Sequence, residues 1–251
     1  MRALRILLIV VVILGGLFVV ADRVAVYFAE DEAASKLKTT ENLASTPDVS
    51  IKGFPFLTQV ASGELDDVEV GIKDYEADTG TGTGGTSGTG GQQTIRIDDL
   101  NAHMKGVKFS GDYSSATAAT ATGTATIAYD ELLKAAKSEP TQIISGVTAQ
   151  VVGLSDGGNG KIKVDVKVSA AGASQTYPVL STVTVDGDRV KVHADNLPKL
   201  VIELADSRIR SITDFQQTID ELPGGVKLDS VQAAKNGVDI TVKGSNVRLA
   251  G

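Results

Sequence analysis

Cysteine is absent from the 251-residue chain. That excludes a disulfide framework, a thiolate metal site and a cysteine nucleophile, and it leaves packing as the source of stability. Tryptophan is also absent, and six Phe with five Tyr bring aromatics to only 4%. The interior must therefore be built mainly from Val, Ile, Leu and Ala. Only two histidines are present for metal or base chemistry near neutral pH. Basic residues are outnumbered, 24 against 31 acidic, for a net charge of −7 and a sequence pI of about 4.9. Phosphate backbones demand a cationic footprint, so no nucleic-acid partner is expected. What is present, 42% apolar residues with 22% charged, places the chain among folded proteins.

Arg2 and Arg5 precede an unbroken apolar run of sixteen residues, Ile6 to Ala21, and the first acid after it is Asp22. This is the pattern of an export signal or a membrane anchor. At about 1.5 Å per residue the run spans roughly 24 Å, short of a hydrocarbon core of about 30 Å unless its flanks contribute. Val19 and Ala21 are small enough for cleavage before Asp22, whereas helix-compatible sequence continues through Val24, Tyr27, Phe28 and Ala33 as an uncleaved anchor would. Both readings stand. In either, the arginines stay inside and Glu30, Asp31 and Glu32 lie outside, so the remainder is expected to be extracytoplasmic. Residues 22–251 are read as one exported domain. Its segment 78–91, DTGTGTGGTSGTGG, cannot bury enough side chain to order itself and is expected to be a flexible loop.

From Asp48 onward apolar and polar residues alternate, the period of a strand buried on one face. Ile162, Val164, Val166 and Val168 share one face, while Lys161, Lys163, Asp165 and Lys167 share the other. The same alternation runs through Val49/Ile51, Val68/Val70/Ile72, Ile95/Ile97, Val107/Phe109, Val183/Val185, Val190/Val192, Val238/Ile240/Val242 and Val247/Leu249. One-sided burial favours an antiparallel sheet. Asp186-Gly187 and Asn236-Gly237 read as two-residue hairpin turns, and Gly157 to Gly160 as a looser one, so a meander is predicted. Residues 22–38 and Tyr129 to Lys137 look helical. After Pro198 a longer helix is predicted as far as Leu222: Val201, Leu204, Ala205, Ile209, Ile212, Phe215, Ile219 and Leu222 fall within an arc of about 140°.

Catalytic patterns are missing their context. Gly80-x-Gly82-x-x-Gly85 opens no helix, Ser87 lacks the second glycine of a nucleophile elbow, and no phosphate loop exists. His103 shares parity with Val107 and Phe109, His193 with Lys191 on the wet face, and neither has a ligand-spaced acid beside it in sequence. Asp66-Asp67 and Asp98-Asp99 read as solvated strand starts or turns, and Asp156 with Asn159 lacks calcium-loop spacing. No enzyme, cofactor or metal site is expected. Arg208 breaks the apolar arc of the predicted helix. It is either a snorkelling stem paired with Asp206 or Asp214, or a guanidinium at a groove mouth suited to a phosphate headgroup.

Gly53-Phe54-Pro55-Phe56-Leu57-Thr58-Gln59, followed by Gly63-Glu64-Leu65-Asp66-Asp67-Val68-Glu69-Val70, resembles the opening of the LmeA-like phospholipid-binding family. The likeness continues through Gly111-Asp112-Tyr113, Gly123-Thr124-Ala125, Leu222-Pro223-Gly224-Gly225 and the strands from Gly237 to Leu249. The resemblance implies an α+β fold of the tubular lipid-binding type: a curved antiparallel β-sheet wrapped around a long amphipathic helix, here preceded by an N-terminal hydrophobic helix. It also implies a non-enzymatic role at the outer face of the cytoplasmic membrane, binding anionic, phosphatidylinositol-type phospholipid, and in one branch control of mannan chain length on envelope lipoglycans. The groove of that architecture would be lined or lipped by Phe54, Phe56, Leu57, Val68, Val70, Ile72, Val107, Phe109, Val164, Val166, Leu204, Arg208, Ile212 and Phe215. Phe54, Phe56 and Leu57 are either a core plug or a lip that dips into the membrane. The competing readings are an extracytoplasmic interaction module with a solid core and no ligand, and a hydrolase using Glu64, Asp66 or Asp67.

Overall fold

The leader and the residues after it form one unbroken helix, α1 (Arg2–Thr40), in a computed structural model that describes residues 2–78, 94–112, 115–135, 139–187, 189–195, 214–218 and 225–250. Its first half buries nothing, while Asp22, Val26 and Ala34 in its second half are buried. Among the described residues it is the one helix long and apolar enough to cross a membrane.

After α1 come β1 (Asp48–Lys52), the short α2 (Phe56–Ser62), β2 (Glu64–Asp78), β3 (Thr94–Phe109), β4 (Ala116–Ala128) and α3 (Tyr129–Ala135). They are followed by β5 (Thr141–Ile144), β6 (Val147–Gly158), β7 (Lys161–Ala170), β8 (Ala173–Asp186), β9 (Arg189–Ala194), β10 (Phe215–Thr218), β11 (Lys227–Ala233) and β12 (Gly237–Ala250). The strands make two antiparallel six-stranded sheets, β1-β2-β3-β4-β12-β11 and β10-β9-β8-β7-β6-β5, one of them strongly curled into a half-barrel. The α+β class is as predicted, and β5 to β10 is a meander in which every strand pairs with its neighbour in sequence.

Some local expectations shift. The helix predicted from Pro198 to Leu222 lies outside the described residues except near its end, where Phe215–Thr218 is the strand β10 paired with Val192 to Arg189 of β9. Backbone groups offered by an edge strand overrode a helical apolar spacing there. Two turns move by one residue. Asp186 pairs with Arg189, so Gly187, at φ 64°, opens the turn instead of closing it. Likewise Ala234 donates its N–H to the Gly237 carbonyl, so Lys235-Asn236 is the turn and Gly237 begins β12. A Cβ at Gly237 would collide with the Ile127 carbonyl, so glycine is required at the start of β12. Asn159-Gly160, with both φ positive at 54° and 72°, makes a tight two-residue turn rather than a loose one. Asp98 and Asp99 are the fifth and sixth residues of β3.

The chain divides into two compact units, residues 1–72, 101–122 and 244–251 in the first, and 73–100 and 123–243 in the second. The first holds α1, β1 and α2 against the start of β2. In the second, an aliphatic cluster joins Ile143, Ala149, Ile162, Val164, Val166, Val179, Ala194, Leu228, Val231 and Val238 under Tyr129. Tyr129 donates its hydroxyl to the Ala234 carbonyl at 2.8 Å, satisfying the one polar atom that this ring brings inside.

Candidate functional site

The GFPFL motif is built around backbone demands. Gly53 sits at φ 95°, and a Cβ there would come within 2.6 Å of the Gln59 side-chain amide. Pro55, at φ −79°, precedes the first turn of α2, where its missing N–H costs nothing, and the Phe54–Pro55 peptide is cis. Gly63, left-handed at φ 74°, closes α2 by donating to the Gln59 and Val60 carbonyls. The buried Gln59 amide accepts from the Asp66 N–H at 2.8 Å and donates to the Lys52 carbonyl at 3.4 Å, joining α2 to β1 and β2.

This turn is held to α1 by a fully buried carboxylate. Asp22 accepts the Leu57 N–H at 2.8 Å and an Arg23 guanidinium N–H at 2.6 Å. Arg23 also reaches the Gly53 carbonyl at 3.4 Å and lies 5.3 Å from the centre of the Phe54 ring. Higher on the same helix, Glu30 accepts the Ile51 N–H at 2.7 Å. Phe56 points inward and is buried, whereas Phe54, 57% exposed, and Leu57 face out. The cluster thus divides: Phe56 is buried, and Phe54 and Leu57 are exposed. Nothing in the motif alone announces Asp22; the signal is its position as the first acid after the apolar run.

Val68, Val70 and Ile72 are half-buried along β2, where Val68 and Val70 stand opposite Ile51 and Val49 of β1. On β3, Val107 is buried and Phe109 half-buried. These eight residues, Phe54 through Phe109, all belong to the first unit. Val164 and Val166 belong to the second, inside its aliphatic cluster. Beside them Ser181 of β8 is fully buried, and its hydroxyl has no hydrogen-bond partner among the described residues. Leu204, Arg208 and Ile212 lie outside the described residues, and Phe215 stands at the start of β10.

Both histidines acquire carboxylates that the sequence keeps far away. His103 Nε2 is 2.7 Å from Asp67 Oδ1 and 3.9 Å from Glu69 Oε1, and His193 Nδ1 is 2.8 Å from Asp214 Oδ2. Neither carboxylate is ligand-spaced in sequence; the fold brings each one in, so both histidines are satisfied by a hydrogen bond. Asp67, Glu69 and His103 bring three ligand atoms within 4.8 Å of one another. The Asp67–His103 hydrogen bond and the Lys52–Glu69 ion pair, at 3.3 Å, already engage all three groups. Gly106, left-handed at φ 59°, interrupts the pleat of β3 between His103 and Val107, so sequence parity does not carry across it.

A family model described as LmeA-like phospholipid-binding matches residues 20–243. No curated protein and no solved structure matches the chain. The matched span contains the GFPFL turn, the buried Asp22 that holds it and the whole β5 to β10 meander, and the family is a lipid-binding, non-enzymatic one. The chain belongs to the LmeA-like phospholipid-binding family, and membership suggests phospholipid binding.

Proposed function

We propose that the chain binds phospholipid, anionic by preference, in an apolar groove at the outer face of the cytoplasmic membrane, without catalysing a reaction and with a part in envelope lipid or lipoglycan homeostasis. Residues 22–251 act in this reading as one exported domain. The observation that carries it, beyond family membership, is the aliphatic face of the meander. Ile162, Val164, Val166 and Val179 are flanked by Val151, Val168, Val183, Val185 and Val190 that are only partly buried. Such a face offers acyl chains apolar contact at roughly 25 cal/mol per Å² removed from water. Arg23 beside Phe54 in the first unit is a cation that favours an anionic membrane surface, and Arg208 is the sequence's candidate for a headgroup contact.

Lipid analysis and native mass spectrometry of the full chain purified from bacterial membranes test this. Retained phospholipid enriched in anionic species is expected, and Val168→Phe, at a partly buried position on that face, should lower the retained amount while far-ultraviolet circular dichroism shows the fold kept. The near-complete burial of Val107, Val164 and Val166 favours the competing reading of a solid interaction module. A clean apo mass after mild purification, unaltered in Val168→Phe, would establish that module instead.

A further inference from the structure

The apolar character of α1 does not end at Ala21; it continues on one side only. At 100° per residue, Leu17, Val20, Val24, Tyr27 and Phe28 fall within an arc of about 100°. Asp22, Val26, Ala29 and Ala33 occupy the opposite side, where the helix packs on the domain. Tyr27 and Phe28 are 67% and 65% exposed, in edge-to-face contact with each other, and Val24 is exposed as well. A water-soluble helix surface gives no reason for this row of bare side chains. It is continuous with the face that the apolar run of the same helix presents.

We infer that α1 is retained as an anchor and that its outer stripe as far as Phe28, together with Phe54 and Leu57, lies in the interfacial layer of a phospholipid bilayer. This rests on the placement at the outer face of the membrane proposed above. Three observations converge on it. Ile6 to Phe28 is 23 residues, about 35 Å of helix, which spans a hydrocarbon core of about 30 Å where Ile6 to Ala21 falls short. Tyr27, Phe28 and Phe54 supply the aromatic ring that membrane helices place at the headgroup level. The charges at this depth are dealt with locally: Asp22 is fully buried against Leu57 N–H and Arg23, and Arg23, paired with it, lies half-exposed over Phe54. Asp22 therefore has a definite task. It locks the GFPFL turn against the anchor, so the lip is carried at the membrane surface by the rigid helix rather than on a tether. Cleavage before Asp22 would free that lock from its membrane helix.

The absence of tryptophan makes the test clean, because one introduced indole reports without background. Full chains carrying Phe28→Trp, Phe54→Trp or Lys36→Trp are reconstituted in vesicles of anionic and neutral phospholipid, with and without lipids brominated near the headgroup. Circular dichroism checks that each keeps the fold. Phe28→Trp and Phe54→Trp should be quenched roughly twofold or more by bromine, whereas Lys36→Trp, about 12 Å further along α1 than Phe28, should not. Intact mass of the membrane-extracted chain should include residues 1–21. A fragment beginning at Asp22, or emission at the first two positions as unquenched as at the third, overturns the inference. Phospholipid that still co-purifies in that event leaves the binding function standing; full quenching with no co-purified lipid does the reverse.

Discussion

Val164→Ala probes the aliphatic cluster at its middle. Val164 lies on β7, 5% exposed, directly opposite Val179 of β8, which is 1% exposed. The truncation removes two methyl groups from a packed site, a transfer loss of about 1.6 kcal/mol at about 0.8 per buried carbon. Neighbours on two paired strands cannot close fully over the gap, and a residual void of roughly 40 Å³ at about 24 cal/mol per Å³ adds about 1 kcal/mol. The expected loss is therefore about 2–3 kcal/mol. Chemical denaturation of the full chain in detergent micelles, followed by far-ultraviolet circular dichroism, measures it; Val152→Ala, on the same meander but exposed, should fall within about 0.5 kcal/mol of wild type. A loss for Val164→Ala as small as that of Val152→Ala would refute the placement of Val164 in a close-packed interior. Repeating the measurement with bound phospholipid separates the readings of the site. An equal loss in both states means Val164 packs on protein, and a larger loss when loaded means that it also touches the ligand.

Gly237→Ala should cost about 3 kcal/mol in the same assay, because its Cβ has no space beside the Ile127 carbonyl; a change below about 1 kcal/mol would show that β12 can shift away. Ala171, at φ 49° in the turn between β7 and β8, is left-handed without the side-chain chemistry that tolerates it, so Ala171→Asn should stabilise by about 0.5–1 kcal/mol, read as a raised midpoint of thermal unfolding. The Asp195 carboxyl is held below its ordinary value of 3.8, chiefly by its hydrogen bond with Lys161 at 2.8 Å, with Thr182 adding a second. A depressed folded value means that this stabilisation is fully present above the unfolded aspartate value of about 3.9 and is lost as pH falls through the folded one. The stability difference between wild type and Asp195→Asn should thus hold near pH 7 and shrink below about pH 4; a difference that does not shrink at acid pH would exclude the ionised carboxylate as its source.

Several elements were legible because their signal is local. The run from Ile6 to Ala21 with helix-compatible sequence beyond it yielded α1, and the alternation of Ile162, Val164 and Val166 against Lys161, Lys163 and Asp165 yielded β7 and its burial. Other elements carry no such contrast. β4 is a run of Ala and Thr with little difference between its faces, and α2 is too short to show a period. β10 arose where Phe215 fitted a helical arc, because a neighbouring edge strand offered hydrogen bonds that no pattern within the segment records. The GFPFL motif was readable as a family signature, yet its division into a buried Phe56 and an outward Phe54 and Leu57 was not.

Composition and periodicity by themselves determined an aliphatic, cysteine-free α+β chain with a hydrophobic N-terminal helix and an antiparallel meander, since those properties follow from each residue's solubility and its neighbours two to four positions away. Only the tertiary structure decided which turn residues lead each hairpin, which carboxylates meet His103 and His193, and that Asp22 holds the GFPFL turn to α1. Those outcomes depend on strand register and on atoms tens of residues apart competing for the same space and the same hydrogen bonds, and that competition exists only once the chain has closed on itself.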